Sequence, residues 1–67
     1  MSNKYFVAAD VNGRTRYWGE AERGWFDTDD KLRFTSYYDE FTASEKANEL
    51  KSEIKSDKVK NIRFVKE

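Results

Sequence analysis

Two runs of β-favouring residues flank an Asn-Gly dipeptide near the start of the chain, in the stretch YFVAADVNGRTRYW. Asn12 and Gly13 tolerate the positive φ that both central residues of a type I′ turn require, so the pattern predicts a β-hairpin. We expect its strands over residues 4–11 and 14–18. The two-residue turn also sets the register. The predicted pairs are Val11 with Arg14, Ala9 with Arg16, Ala8 with Tyr17 and Val7 with Trp18.

The alternation within this hairpin predicts large apolar residues on both faces of the sheet. One face is expected to carry Tyr5, Val7, Ala9, Val11, Arg14, Arg16 and Trp18. The other face is expected to carry Phe6, Ala8, Asp10, Thr15 and Tyr17. Because a single helix covers one face of a sheet, we expect the other face to be open for self-association, with a dimer favoured. The residues assigned to this self-association are Tyr5, Val7 and Arg16. The alternative is that segment 19–41 folds over the second face and buries both sets.

A charged loop follows the hairpin and leads to GWF, which predicts a third strand across Trp25 and Phe26. The acidic run DTDD then indicates a turn or a short helical start. Leu32 and Phe34 are expected to point inward. The next aromatic residues have a spacing compatible with one irregular helical turn, and they are Tyr37, Tyr38 and Phe41.

The clearest helical signal lies in the second half of the chain. Thr42 and Glu45 bracket a capping-box pattern, so we expect the helix to begin there with Thr42 as its N-cap. Apolar residues then recur at the spacing of one helical face. This predicted stripe consists of Ala43, Ala47, Leu50 and Ile54.

The stretch VKNIRFV predicts a final strand with Ile62 and Phe64 on one face and Val65 on the other. Val59 fits this alternation only with a bulge or a late start of the strand. We therefore predict an α+β fold: a small antiparallel sheet of three to four strands with one helix packed on one face, in the order β-β-(β)-α-β. Residues 1–67 are expected to form a single domain. The face that the helix covers and the edge that the last strand joins stay open.

The chain has 67 residues and contains neither cysteine nor histidine. A domain of this size rarely obtains more than about 3–5 kcal/mol of net stability from one core. Disulfides and the usual zinc and haem sites are excluded. Dense aromatic packing and self-association remain as sources of stability.

The residue types present favour a protein without catalytic chemistry. No serine has a recognisable base, and the three glycines lack a phosphate-binding spacing, so we expect no enzyme and no cofactor. The run DTDD lacks the glycine and the terminal glutamate of a calcium loop, so we also expect no metal site. Neither a signal-peptide pattern nor a stretch of ~20 apolar residues is present, so we expect a cytoplasmic protein with no membrane partner.

Formal charge is zero overall but uneven along the chain, at +2 over residues 1–19, −5 over 20–45 and +3 over 46–67. The acidic middle also holds several aromatic residues, which are typical of protein interfaces. We therefore predict a non-enzymatic binding protein. Its predicted partner-binding residues are Trp18, Glu20, Glu22, Trp25, Phe26, Asp27, Asp29 and Asp30.

Two other function classes stay open. One is a nucleic-acid-binding module, in which aromatic rings and neighbouring cations form a stacking platform for single strands. The residues of this platform would be Arg14, Arg16, Trp18 and Arg23. The other is a small structural or assembly protein.

The succession of YW, GWF, RFTS, a helix and NIRFV resembles small uncharacterised proteins of phages and prophages. The resemblance covers most of the chain. It implies a protein that binds a host protein, for example as an inhibitor of a bacterial defence system, and it assigns a role to no individual residue.

Overall fold

The computed structural model describes residues 4–27 and 35–66. Within them, four strands form one antiparallel sheet with a single helix. The elements are β1 (Tyr5–Val11), β2 (Arg14–Gly19), β3 (Gly24–Phe26), α1 (Glu40–Glu53) and β4 (Val59–Lys66). The strand order is β3-β2-β1-β4, so the last strand joins the edge beside β1. The predicted α+β fold and its element order are confirmed.

The hairpin has the register that its turn predicts. Val11 lies opposite Arg14, and the pairs of Ala9 with Arg16 and Ala8 with Tyr17 follow. Asn12 has φ 54° and Gly13 has φ 81°, as a type I′ turn requires. Asn and Gly adopt this left-handed backbone at low cost, and they thereby fix which side chains face the helix.

The final strand contains a bulge, which is one of the two alternatives that its alternation leaves open. Ala8 pairs with Arg63 and Asp10 with Lys60, so two steps along β1 correspond to three along β4. Asn61, within the extra step, has a left-handed φ of 56°. The bulge lets Val59 and Ile62 both face the helix although an odd number of positions separates them.

The helix begins earlier than the capping box predicts, so the prediction of Thr42 as N-cap is wrong. Asp39 is the N-cap, and its carboxylate accepts a 2.7 Å hydrogen bond from the backbone N–H of Thr42. The helix therefore starts at Glu40 and includes Phe41. Asp is as good a cap as Thr, and the three extra N-terminal residues add most of a further turn to the helix.

The helix covers the sheet face that carries Val7, and the core lies between them. Its members are Val7, Ala9, Val11, Trp18, Ala47, Leu50 and Ile62, with Trp25, Tyr38, Ile54 and Val59 packed around them. Ala43 and Ala47 are buried, as the predicted helical stripe requires. Small residues at these positions bring the helix close to the sheet.

The expectation of an open sheet face is wrong at the centre of the sheet. Val7 is 0% exposed beneath the helix, so the assignment of Val7 to a self-association surface does not fit the structure. Phe6, on the opposite face, is only 2% exposed and lies edge-on against Tyr17. Ala8 is buried as well. Both faces are therefore covered at their centres.

The chain before the helix has an extended contact with β1. Tyr38 and Tyr5 exchange backbone hydrogen bonds of 2.9 and 2.8 Å, in an antiparallel bridge. The predicted irregular helical turn over Tyr37, Tyr38 and Phe41 is therefore wrong, because Tyr38 pairs as a strand residue and Phe41 lies in α1. Leu32 and Phe34, predicted to point inward, lie outside the described residues. In the described part of the chain, no helix has the length and apolar character needed to cross a membrane.

Candidate protein-binding surface

Trp18 is the centre of a cluster that joins the sheet to the loop after β2. Its ring is 4% exposed and packs edge-on against Trp25 at a centroid distance of 5.2 Å. Its indole Nε1 donates a 3.0 Å hydrogen bond to Glu20, and the Arg23 guanidinium lies 5.7 Å from the ring centroid. Trp18 is thus a buried core residue with a satisfied donor, and its face is not available for stacking on a base.

Glu20 is held by several partners at once. Lys46 on α1 lies 3.2 Å from its carboxylate, and Arg23 lies 3.6 Å away. The hydrogen bond from Trp18 lowers the pKa of Glu20 below its usual value, and Lys46 and Arg23 lower that pKa further. Arg23 also reaches Glu53 at 3.6 Å. This network fastens the loop to the helix and neutralises Glu20 within the chain.

A second charge cluster lies at the other end of β2. Arg16 approaches Asp27 at 3.2 Å, and Arg14 approaches the same carboxylate at 3.8 Å. Their side chains are on the helix side of the sheet, next to the Trp18–Trp25 pair. All three arginines of the nucleic-acid alternative therefore have acidic partners within the chain, which weakens their ability to neutralise phosphates.

The structure brings together only part of the partner surface that the sequence predicts. Trp25 and Phe26 are half-buried, and Glu22 is exposed. Glu20 and Asp27 form ion pairs within the domain, and Trp18 lies in the core. Asp29 and Asp30 lie outside the described residues.

The most exposed large apolar side chains lie elsewhere, in a set we call the aromatic end. Its exposed members are Tyr37 at 61%, Phe41 at 70% and Phe64 at 38%. Tyr5 pairs with Lys66 of β4 and bridges Tyr38, so the start of β1 lies between the end of β4 and the start of the helix. The three exposed rings are therefore at one end of the molecule.

Two contacts order the side chains of the aromatic end. The Lys4 ammonium lies 4.7 Å above the centre of the Tyr37 ring. The rings of Tyr5 and Phe64 are 6.2 Å apart, in a tilted arrangement. Partly ordered aromatic rings lose little conformational entropy when a partner covers them.

Sequence reasoning missed the aromatic end because it misplaced the start of the helix. Once the helix begins at Glu40, Phe41 lies about 120–180° around the axis from Ala43, Ala47 and Leu50, on the solvent side. The residues of the Asp39 cap were present in the sequence. A D-x-x-T pattern before the apolar stripe was the signal that could have located the helix start.

The outer edge of β4 is a further unusual surface. β4 is the last strand in the sheet order, and among the described residues no strand pairs with its outer side. It carries Lys60, Arg63 and Lys66 and no carboxylate. Arg63 contacts Asp10 at 3.4 Å, whereas Lys60 and Lys66 form no ion pair with the described residues.

No described group of three or more acidic side chains is arranged to hold a metal ion. No family model, curated protein or solved structure matches this chain. The geometry of the described residues therefore carries the functional inference.

Proposed function

We propose that the protein is a non-enzymatic binding protein that docks another protein through its aromatic end. The observation that carries the proposal is the exposure of Tyr37, Phe41 and Phe64 at one end of so small a domain. Exposed aromatic residues are the usual anchors of protein interfaces, because each removes a large apolar area from water when a partner covers it.

The aromatic end supports this role better than the acidic segment that the sequence indicates. Glu20 and Asp27 already have cationic partners in the chain, so a new partner would have to compete with Lys46 and Arg16 for them. Phe41, in contrast, lies outside the helical stripe that packs on the sheet. Burying the Phe41 ring against a partner would stabilise a complex by about 1.5–3 kcal/mol.

The resemblance to small phage proteins makes a bacterial host protein, such as a component of a defence system, the first target class to test. In this proposal the protein blocks its target by covering a surface and not by chemistry.

A capture experiment with paired variants tests the proposal. The immobilised protein is incubated with a bacterial lysate, and bound proteins are compared between wild type, a Tyr37→Ser/Phe41→Ser variant and a Glu22→Lys variant. Glu22→Lys alters the exposed carboxylate of the sequence-predicted surface and leaves the aromatic end intact. The captured protein is identified by mass spectrometry and its affinity is measured after purification.

We expect one captured protein to be lost with the serine variant and kept with Glu22→Lys. Truncating two interface anchors typically weakens binding by about 2 kcal/mol or more. If the same protein is lost only with Glu22→Lys, the acidic segment is the docking surface and the proposal is wrong. Equal capture by all three proteins would also contradict it. Circular dichroism of each variant checks that the fold is intact.

A further inference from the structure

The backbone of β4 has polar groups that point away from the sheet. Both the N–H and the C=O of Tyr5 bond to Tyr38, on the side of β1 that faces β2. Neighbouring residues of a strand point their backbone groups in opposite directions, so Phe6 and Ala8 point toward β4. Their partners there are Val65 and Arg63.

The backbone groups of the alternate residues of β4 point away from β1, toward the open edge of the sheet. Phe64 and Lys66 alternate with Arg63 and Val65, so their N–H and C=O groups face the open edge. The side chain of Phe64 is also partly exposed at this edge. An edge of this kind is a template on which an extended segment can add a further strand.

The charge of this edge selects among possible strands. β4 carries three cations, Lys60, Arg63 and Lys66, and no carboxylate, and Asp10 of β1 offsets Arg63 at 3.4 Å, which gives a net charge of 3 − 1 = +2. Opposite charges across neighbouring strands stabilise pairing, and like charges oppose it. The edge therefore suits an acidic strand.

The same charges disfavour a second copy of this chain as the occupant. Pairing β4 with itself would bring Lys60, Arg63 and Lys66 of two molecules into one short ribbon. Lysine on an edge strand is a common device that prevents such self-pairing. Within the described residues, the carboxylate that forms a salt bridge with β4 is Asp10, which pairs with Arg63 and leaves Lys60 and Lys66 without one.

We infer that the outer edge of β4 binds an extended acidic segment of a partner protein, which adds to the sheet as a fifth strand. The partner segment would place carboxylates beside Lys66 and Arg63, on opposite faces, and an apolar side chain beside Phe64. The inference rests on the proposed binding function, and it specifies the chemistry of the partner.

A peptide titration observed by NMR tests the inference directly. The probe is a capped peptide of sequence Thr-Glu-Val-Ile-Glu-Val-Thr, and the control probe replaces both glutamates with lysine. We expect the acidic probe to shift the amide signals of Phe64 and Lys66 saturably and to slow their hydrogen exchange. The amides of Arg63 and Val65, which already bond to β1, should show a smaller change in exchange rate. The lysine probe should bind at least about tenfold more weakly than the acidic probe.

Two variants with the same change of net charge separate local recognition from general electrostatics. Lys66→Glu should largely abolish the preference for the acidic probe, because it takes the net charge of the edge from +2 to 2 − 2 = 0. Arg14→Glu, on β2 and separated from β4 by β1, should leave the preference unchanged. Both side chains are exposed, so both variants should fold.

Three results would overturn the inference. One is that the NMR signals of the Phe64 and Lys66 amides do not shift when the acidic probe is present at millimolar concentration. Another is that the two probes bind equally well. The third is a dimer of the protein alone, seen by sedimentation, in which these amides are already protected, since that would assign the edge to a second copy. The probes do not require Tyr37 or Phe41, so failure of the aromatic end in the capture experiment and failure here are distinguishable.

Discussion

The indole Nε1 of Trp18 donates a 3.0 Å hydrogen bond to the Glu20 carboxylate, two residues further along the chain. The backbone of the same two residues binds Ser36, through Ser36 N–H to Trp18 C=O at 3.1 Å and Glu20 N–H to the Ser36 hydroxyl at 3.0 Å. The salt bridge from Glu20 to Lys46 thus connects the end of β2 to the helix. The hydrogen bonds with Ser36 connect the same residues to the segment that precedes the helix. The loop after β2, which the sequence predicts as a docking surface, therefore helps to hold the fold together.

The contacts of the Glu20 carboxylate predict that the stability of the fold depends on pH. Its folded-state pKa lies below its ordinary value of 4.5, first because of the hydrogen bond from Trp18 and then because of Lys46 and Arg23. The stabilising contribution is therefore complete above pH 4.5 and is lost as the pH falls through the folded-state pKa. Glu20→Gln should lower stability at pH 7 by at most about 1 kcal/mol, because solvent screens this partly exposed carboxylate.

Urea unfolding between pH 7 and pH 3 checks this prediction. The loss of stability on acidification should be smaller in Glu20→Gln than in the wild type. Glu22→Gln is the control, since Glu22 forms no ion pair with the described residues. An equal loss of stability on acidification in the wild type and in Glu20→Gln would show that Glu20 contributes nothing to acid sensitivity.

The burial of Trp18 predicts that its loss unfolds the domain. A large aromatic residue replaced by alanine in a core costs about 3–5 kcal/mol. This is comparable to the whole net stability expected for so small a domain, about 3–5 kcal/mol. Trp25→Ala removes a half-buried ring and should cost less.

Thermal unfolding followed by circular dichroism measures both tryptophan variants. We expect Trp18→Ala to lack a cooperative transition at room temperature and Trp25→Ala to keep one at a lower Tm. A Trp18→Ala protein with the wild-type Tm would remove Trp18 from the core and return it to the set of interface candidates.

The turn and the bulge were predictable because they depend on short-range backbone chemistry. Asn12 and Gly13 supply positive φ, and the odd separation of Val59 from Ile62 indicates either a bulge or a late start of β4, of which the structure has the bulge. The helix start was mispredicted because two capping patterns overlap. Thr42 fits a capping box, but the Asp39 carboxylate accepts the hydrogen bond from the Thr42 N–H, and the helix is longer by three residues, most of a turn. Local sequence does not decide between two caps of similar strength.

The candidate site was less predictable than the fold. Alternation in β1 and β2 correctly places Phe6 and Val7 on different faces of the sheet. It does not show which face is covered by segments distant in the sequence. Ion pairing is equally non-local, since Glu20 meets Lys46 of the helix and Arg16 meets Asp27 across neighbouring strands. Two carboxylates of the acidic segment, Glu20 and Asp27, are therefore neutralised by cations within the fold.

The left-handed residue in the β4 bulge gives a second stability prediction. Asn61→Gly should be tolerated, because glycine adopts φ 56° without a steric penalty. Asn61→Val should cost about 1–2 kcal/mol, because the β-carbon of other residues is crowded in this conformation. Lys60→Val is the control, since Lys60 is exposed and has a negative φ. Denaturant midpoints that fall equally for both valine variants would argue against strain at Asn61.

Phe41 offers the sharpest separation between folding and binding. Its ring is 70% exposed on the outer side of the helix, so Phe41→Ser should leave the Tm close to that of the wild type. Leu50, on the same helix, is 2% exposed, and Leu50→Ala should cost about 2–5 kcal/mol. Thermal unfolding of the two variants measures the contrast. If Phe41→Ser lowers the Tm as much as Leu50→Ala, the Phe41 ring belongs to the fold. If the Tm is unchanged, the Phe41 ring contributes little to folding, as the proposed binding role requires.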